Sequence, residues 1–263
     1  MKRARNRPPP ERNDSKATAC IAGYSAVAAL FAAAPERVER LFFEERAKAR
    51  VRGFCATLGR LRKSYRLVDA DELSRIAGTP MHGGVVAIAR PRPLHVFDYT
   101  QARDWAREGG LLLLLDGIGN PHNLGAIVRT AAFFGVRRIV LSDHPGQAAP
   151  SDASYRVAEG GFEHVEVFRA APFAEAVKAL RQSYRVVGTA LDTSKPLSAV
   201  RPGDKPFALI LGNEEGGLSR ATLSVCDDVV AIPGAGRVQS LNVAATAAIL
   251  IYALNPPSVI LPS

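Results

Sequence analysis

The sequence predicts an α/β protein built on a mainly parallel sheet. Three observations carry that reading. From residue 111 onward, short apolar runs alternate with stretches of helical period, the pattern of strand, helix, strand. One of those runs, Leu111–Leu115, is unbroken, as suits a strand covered on both faces. Apolar residues make up 47% of the 263, enough for a sizeable core.

The chain divides into four stretches. Residues 1–16 are polar, with Pro8-Pro9-Pro10 and six basic against two acidic residues, and read as a disordered basic tail. Residues 17–90 read as a small α/β domain. Its expected elements are helix Gly23–Ala34 closed by Pro35, strand Val38–Phe43, helix Arg46–Arg62, strand Tyr65–Val68, helix Asp71–Ala77 and strand Val85–Ala89. Residues 91–104 carry the prolines of PRPLHVFDYT and read as a linker. A short helix, Gln101–Arg107, begins the second domain, 105–263.

In that domain strand Leu111–Leu115 leads into a polar, glycine-bearing loop, Asp116–Asn123, and helix Leu124–Phe134. Strand Arg138–Leu141 follows, then a long loop, Ser142–Gly161, rich in Pro, Gly, Ser and Ala. Strand Val165–Phe168, helix Pro172–Gln182 and strand Arg185–Ala190 continue the alternation. Two further apolar runs, Phe207–Leu211 and Val229–Ile232, end on glycine- or proline-containing turns and read as buried strands. Val238, Leu241, Ala244, Ala245, Ala248, Ile249 and Tyr252 recur at helical spacing, so the expected last helix is Val238–Leu254. Ligands of open α/β sheets sit beyond the carboxyl ends of strands, which points to the turns after Leu211 and Ile232.

Three stretches in order carry a resemblance: Asn123-Leu-Gly-Ala-Ile-Val-Arg129, Leu211-Gly-Asn-Glu-Glu-Gly-Gly-Leu218 and Ile232-Pro-Gly-Ala-Gly-Arg-Val-Gln-Ser-Leu-Asn-Val243. Together they resemble the three motifs of the SpoU/TrmH family of the SPOUT superfamily, S-adenosylmethionine-dependent RNA 2′-O-ribose methyltransferases. The layout of 17–90 resembles the L30e-like substrate-binding domain found in several members. Met81-His82-Gly83-Gly84-Val85 resembles that domain's His-Gln-Gly-Val element, with glycine in place of glutamine. The chain also has Gly234 where methionine is frequent, and Asn120-Pro121 where Asp-Pro is common.

The resemblance implies a trefoil knot over Phe207–Leu254 whose turns enclose the cofactor. It implies a cofactor site of Thr189, Ala190, Leu211, Gly212, Asn213, Ile232, Leu241 and Asn242, acting mostly through backbone, with Gly212 letting the ligand come close. It implies catalytic roles for Arg129, Asn123, Glu214, Ser240 and Asn242, with Ser240 and Asn242 in the first turn of the last helix and Glu214 holding Arg129 or its neighbour. Arginine is a poor base, because its guanidinium stays protonated. Arg129 is therefore expected to stabilise a developing alkoxide or to orient the ribose and phosphate. Asn123 before Leu124 also suits a plain helix cap. A homodimer is implied, with the second subunit contributing to the RNA site.

The net charge of +9 suits a nucleic-acid partner. Between residues 46 and 66 stand eight cations and no acid: Arg46, Lys48, Arg50, Arg52, Arg60, Arg62, Lys63 and Arg66. Such a cluster suits RNA phosphates, though a solvated helix face produces the same pattern. The three cysteines form no CxxC pair and the five histidines are scattered, so no metal site is expected. No apolar run is long enough to span a bilayer and no signal-like core follows the basic start, which points to the cytoplasm. Ribosomal RNA is the favoured substrate, transfer RNA the other. Two rival functions stand: an inactive RNA-binding or assembly protein on the same scaffold, and an NAD-binding Rossmann enzyme using Gly117-Ile-Gly119 and Asp143.

Overall fold

The computed structural model describes residues 18–190, 195–200, 203–213 and 215–255. The expected disordered tail, 1–16, and Glu214 lie outside the described residues. The chain is an α/β protein with an N-terminal mixed sheet and a C-terminal parallel sheet.

The N-terminal unit runs β1 (Ala19–Ala22), α1 (Tyr24–Ala33), β2 (Val38–Phe43), α2 (Lys48–Arg60), β3 (Ser64–Leu67), α3 (Ala70–Ala77) and β4 (Val85–Ala89). The sheet order is β1-β4-β2-β3; β2 and β3 are parallel, the other pairs antiparallel. Asp69 caps α3 by accepting from the Glu72 amide, and Gly78 closes it in the left-handed conformation. The sequence reading does not include strand β1, whose four residues, Ala-Cys-Ile-Ala, hold one β-branched side chain.

The C-terminal unit opens with β5 (His95–Val96) and α4 (Tyr99–Glu108), so the segment expected as a linker carries an edge strand and most of a helix. It continues through β6 (Leu112–Asp116), α5 (Pro121–Phe133), β7 (Arg138–Leu141), α6 (Asp152–Ala158), β8 (Glu166–Arg169), α7 (Phe173–Leu180), β9 (Arg185–Thr189), β10 (Lys195–Pro196), β11 (Phe207–Gly212), α8 (Arg220–Ser224), β12 (Asp228–Ala231) and α9 (Val243–Leu254). The sheet order is β10-β12-β9-β11-β6-β7-β8-β5, with each neighbouring pair parallel. Strand β11 thus inserts between β6 and β9.

The apolar run in β6 is explained by layers on both faces. Leu113 and Leu115 join one core with Ile127, Ile139, Leu209 and Leu250; Leu112 and Leu114 join the other with Trp105, Val140, Val177 and Ile210. The first core runs on without a break into Val27, Leu30 and Leu41 of the N-terminal unit. Fully burying such a leucine contributes about 1.5–3 kcal/mol, so the two units share a substantial part of their stability.

That junction rests on an element the sequence reading placed in a long loop. Residues 142–161 contain α6, started by a capping box between Ser151 and Ser154. Asp152 of α6 accepts from the Cys20 amide of β1, and Arg37 pairs with Glu163 at 2.7 Å with both side chains nearly buried. Arg92 donates to the Phe162 carbonyl at 2.6 Å. The last helix also starts later than expected: residues 233–242 are exposed and irregular, and α9 begins at Val243. Two glycines and a proline there deny the chain helical continuity despite its apolar spacing.

At the foot of the sheet, Asp228 has a 3% exposed side chain and accepts from Arg185 and Lys195. Burial works to raise its pKa, but the hydrogen bonds from Lys195 and Arg185 win and hold it below the usual carboxylate range. The carboxylate therefore stabilises the fold above its unfolded pKa, and that contribution is lost as pH falls through its lowered value. Asp228→Asn should cost about 1–2 kcal/mol at neutral pH and flatten the acid limb of a urea-unfolding series; parallel acid limbs would contradict the assignment.

Candidate active site

The site is assembled from three turns at the carboxyl ends of parallel strands. Strand β11 ends at Gly212, and the chain folds straight back on it. A Cβ on Gly212 would lie 2.5 Å from the Gly217 carbonyl carbon and 2.6 Å from the Leu218 nitrogen. The glycine expected to admit a ligand is thus required by the protein's own backbone. Asn213 locks this turn: its carboxamide oxygen accepts from Glu215 and Gly216, and its Nδ2 donates to the Gly117 carbonyl at 2.8 Å. Asn213, expected at the cofactor, therefore ties the second motif to the loop that precedes the first.

That loop follows β6. Gln147, 8% exposed, accepts from the Ile118 amide and donates to the carbonyls of Ile118 and Ala148. The His144 ring packs over Gly117, and its Nδ1 accepts from the Gly146 amide. Helix α5 then starts earlier than expected, with Asn120 as its cap and Pro121 in its first turn. Asn123 lies inside the first turn and is not the cap. Gly125 lets α6 pack tightly, since a Cβ there would meet the Ser154 carbonyl at 2.6 Å.

The third turn follows β12. Ile232 is half-buried, Leu241 is 49% exposed, and Ser240 is exposed. Asn242 precedes α9 rather than lying in its first turn. It caps the helix through the Ala244 amide, and its Nδ2 donates to Asn123 Oδ1 at 3.2 Å. First and third motifs are thereby joined. On the adjoining strand end, Thr189 Oγ1 donates to the Ile210 carbonyl and the Ala190 amide to the Val230 carbonyl. Leu211 is fully buried.

Arg129 departs from this cluster. Six residues beyond Asn123, at about 100° per residue, it projects roughly a third of a turn away around α5. It pairs with Glu159 at 2.9 Å, an acid in the stretch expected as loop. The partner expected for it, Glu214, is outside the described residues.

The basic cluster is less uniform in space than in sequence. Lys63 donates to the carbonyls of Glu36 and Val38 and to Glu39. Arg46 pairs with Glu44, Lys48 with Glu45 and Arg66 with Glu72. Arg50 stacks 3.7 Å over the Tyr24 ring, and Arg60 donates to Thr57. Arg52 and Arg62 are exposed. The fold supplies acids that the linear window lacks.

Buried titratable groups nearby do not suggest other chemistry. Burial pushes the Cys226 thiol up to about 11, and it donates to the Thr222 carbonyl, so it packs as a neutral group. Among the described residues no cluster of three or more metal-ligating side chains occurs, and no helix is long and apolar enough to cross a membrane.

Residues 110–252 match the SpoU rRNA Methylase family. The chain belongs to that family. Residues 20–94 match the companion description, RNA 2′-O ribose methyltransferase substrate binding. The chain is 34% identical over 235 residues to a 23S rRNA (guanosine-2′-O-)-methyltransferase RlmB of Acinetobacter baylyi, covering 88% of this chain and 94% of that protein. It is 33% identical over 235 residues to YfiF of Escherichia coli O157:H7, described as an uncharacterized tRNA/rRNA methyltransferase. That match covers 88% of this chain but 66% of YfiF, just under two thirds of its length. In fold it is similar to an AdoMet-bound rRNA methyltransferase from Sinorhizobium meliloti, with a TM-score of 0.74 and 24% identity over 90% of this chain and 87% of that one. SpoU membership displaces the NAD-binding reading: the glycines after β6 serve the loop stitched by Asn213 and Gln147.

Gln147, His144 and Glu159 escaped the sequence reading. A Gln or Glu in a Pro- and Gly-rich stretch carries no local signal of its contacts. The steric reading of the second SpoU motif is directly testable. Gly212→Ala should destabilise the fold by about 1–3 kcal/mol, whereas Gly234→Ala, with open space around its Cβ position, should stay within about 0.5 kcal/mol. Equal thermal unfolding of the two variants would refute it.

Proposed function

We propose that the chain transfers a methyl group from S-adenosylmethionine to a ribose 2′-hydroxyl of ribosomal RNA. The observation that carries this reading is the Asn242–Asn123 hydrogen bond. It brings the turn before α9 onto the start of α5, beside the strand ends of β9, β11 and β12. Family membership supplies the reaction, and relatives named as acting on 23S rRNA favour that substrate over transfer RNA.

Bound S-adenosylmethionine would present a methyl group on a cationic sulfur. On this reading the backbone at Thr189, Ala190, Leu211, Gly212 and Ile232 holds it, with exposed Leu241 covering its apolar edge. Asn213 keeps the pocket's floor rigid. Asn123 and Asn242, with Ser240 and Glu214 beside them, position the ribose. Arg129 stays cationic and stabilises the developing alkoxide or grips the flanking phosphate. The trefoil knot implied by the family over Phe207–Leu254 belongs to the same reading. It is supported by the insertion of β11 between β6 and β9 and by the packing of α9 against α5.

A homodimer fits the divergence of Asn123 and Arg129, because a second copy would bring an Arg129 to a site its own chain's helix turns away from. Exposed Phe133 on α5, and Ile249 and Tyr252 on α9, offer the apolar surface for it. The RNA reaches the N-terminal unit through Arg52, Arg60 and Arg62, with the exposed ion-paired cations Arg46, Lys48 and Arg66 exchanging acids for phosphates and Arg50 alongside. Lys63 contributes by holding the start of β2. The cytoplasm is the expected place of action.

Incubating the full chain with methyl-labelled cofactor and total bacterial RNA should place label at ribose 2′-oxygens of the large ribosomal RNA. RNA binding without transfer would favour the inactive assembly protein. Arg129→Ala should reduce transfer at least about a hundredfold, the scale of lost oxyanion stabilisation, while calorimetric cofactor affinity stays within about twofold. Near-normal turnover in that variant would refute the role of Arg129.

A further inference from the structure

Arg129 meets a carboxylate in a conformation that needs explaining. Glu159 follows the last residue of α6 at φ 46° and ψ 41°, in the left-handed region. That conformation disfavours a residue with a Cβ, and glycine is the ordinary choice there. The next residue, Gly160, is a glycine in the same region, so a glycine-type closure is already at hand one step on. A non-glycine residue held in strained backbone is a reason to ask what its side chain does. Its carboxylate lies 2.9 Å from Arg129 Nη1.

The backbone around Glu159 is anchored on two sides. A Cβ on Gly160 would be 2.5 Å from Ala29 Cβ of α1, and one on Gly161 would be 3.2 Å from Arg129 Cα. Two residues on, Glu163 makes its nearly buried pair with Arg37, and the Phe162 carbonyl accepts from Arg92. Residues 159–163 therefore touch the N-terminal unit, the backbone of α5 and the guanidinium of Arg129 within one short span. The carboxylate occupies one guanidinium nitrogen and leaves the rest of the fork free to donate.

We propose that Glu159 is the positioning residue for Arg129, fixing its guanidinium relative to the substrate-binding unit so that its free donors meet the RNA. This rests on the reading of Arg129 given under Proposed function. Both side chains are about half exposed, at 57% and 47%, so the pair acts through orientation and not through stability. Holding a long, rotamer-rich side chain in one arrangement lowers the entropy lost on reaching the transition state.

The test uses the full chain with Glu159→Gln and Glu159→Asp. In steady-state methyl transfer, Glu159→Gln should lower kcat about three- to fivefold, the scale of an exposed ion pair, with KM for RNA unchanged within twofold. Glu159→Asp should recover part of the loss. The wild-type advantage should shrink as salt rises, and in an Arg129→Lys background Glu159→Gln should have little further effect. An unchanged kcat would overturn the proposal, as would tighter RNA binding at constant kcat, which would mark Glu159 as a screen against phosphate. A second measurement is independent of turnover. The side-chain Nε–H signal of Arg129, assigned by its loss in Arg129→Lys, should show restricted motion in the wild type and increased motion in Glu159→Gln. Equal mobility would overturn the proposal even if the chain transferred no methyl group, whereas restricted Arg129 in an inactive chain would refute only the functional reading.

Discussion

Asn213 holds the architecture of the site together. Its side chain makes three hydrogen bonds, two closing the turn after β11 and one reaching the Gly117 carbonyl after β6. Two central, parallel strands end side by side in any such sheet, but their loops are free to splay apart. One partly buried carboxamide contact removes that freedom, and the steric demand at Gly212 removes the alternative path for the chain. The site's shape is therefore set by the protein's own packing before any ligand is considered. Turns fixed in advance lower the cost of ordering on any binding event.

Much of the fold is legible in the sequence because it rests on period and run length. Strands β2, β4 and β7 fall at the expected residues, and the unbroken β6 run reports two covered faces. The misses have separate causes. Helices α6 and α8 have seven and five residues, too few for a helical period to emerge, and β1 has one β-branched residue among its four. The last helix errs the other way: Val238 and Leu241 sit at helical spacing, yet both are exposed ahead of α9. Helical spacing alone does not separate an exposed apolar pair from a core face.

The candidate site was legible in its membership and obscure in its wiring. The three motifs bring Asn123, Gly212, Asn213 and Asn242 to notice, but a motif does not say whether a residue faces the ligand or its neighbour. Gly212 and Asn213 turn out to bind the chain to itself. The basic window of residues 46–66 makes the same point in charge. Glu44, Glu45 and Glu72 lie just outside the window and pair locally with Arg46, Lys48 and Arg66, while the fold brings Glu39 of β2 to Lys63. A charge count over a window overstates a surface whenever acids at its borders, or across the fold, pair with its cations.

The junction of the two units gives these local contacts a common purpose. The chain does not join a binding module to a methyltransferase by a free tether. The shared core, the Arg37–Glu163 pair and the Cys20–Asp152 contact fix the N-terminal unit on α6, and α6 packs against α5 through Gly125. The N-terminal unit, α2 included, is thus registered against the helix that carries Asn123 and Arg129, because few soft degrees of freedom lie between them. A flexible link would leave each encounter to search for the hydroxyl. A shared core converts binding energy at one end into alignment at the other, which is what a reaction with little covalent work for the protein requires.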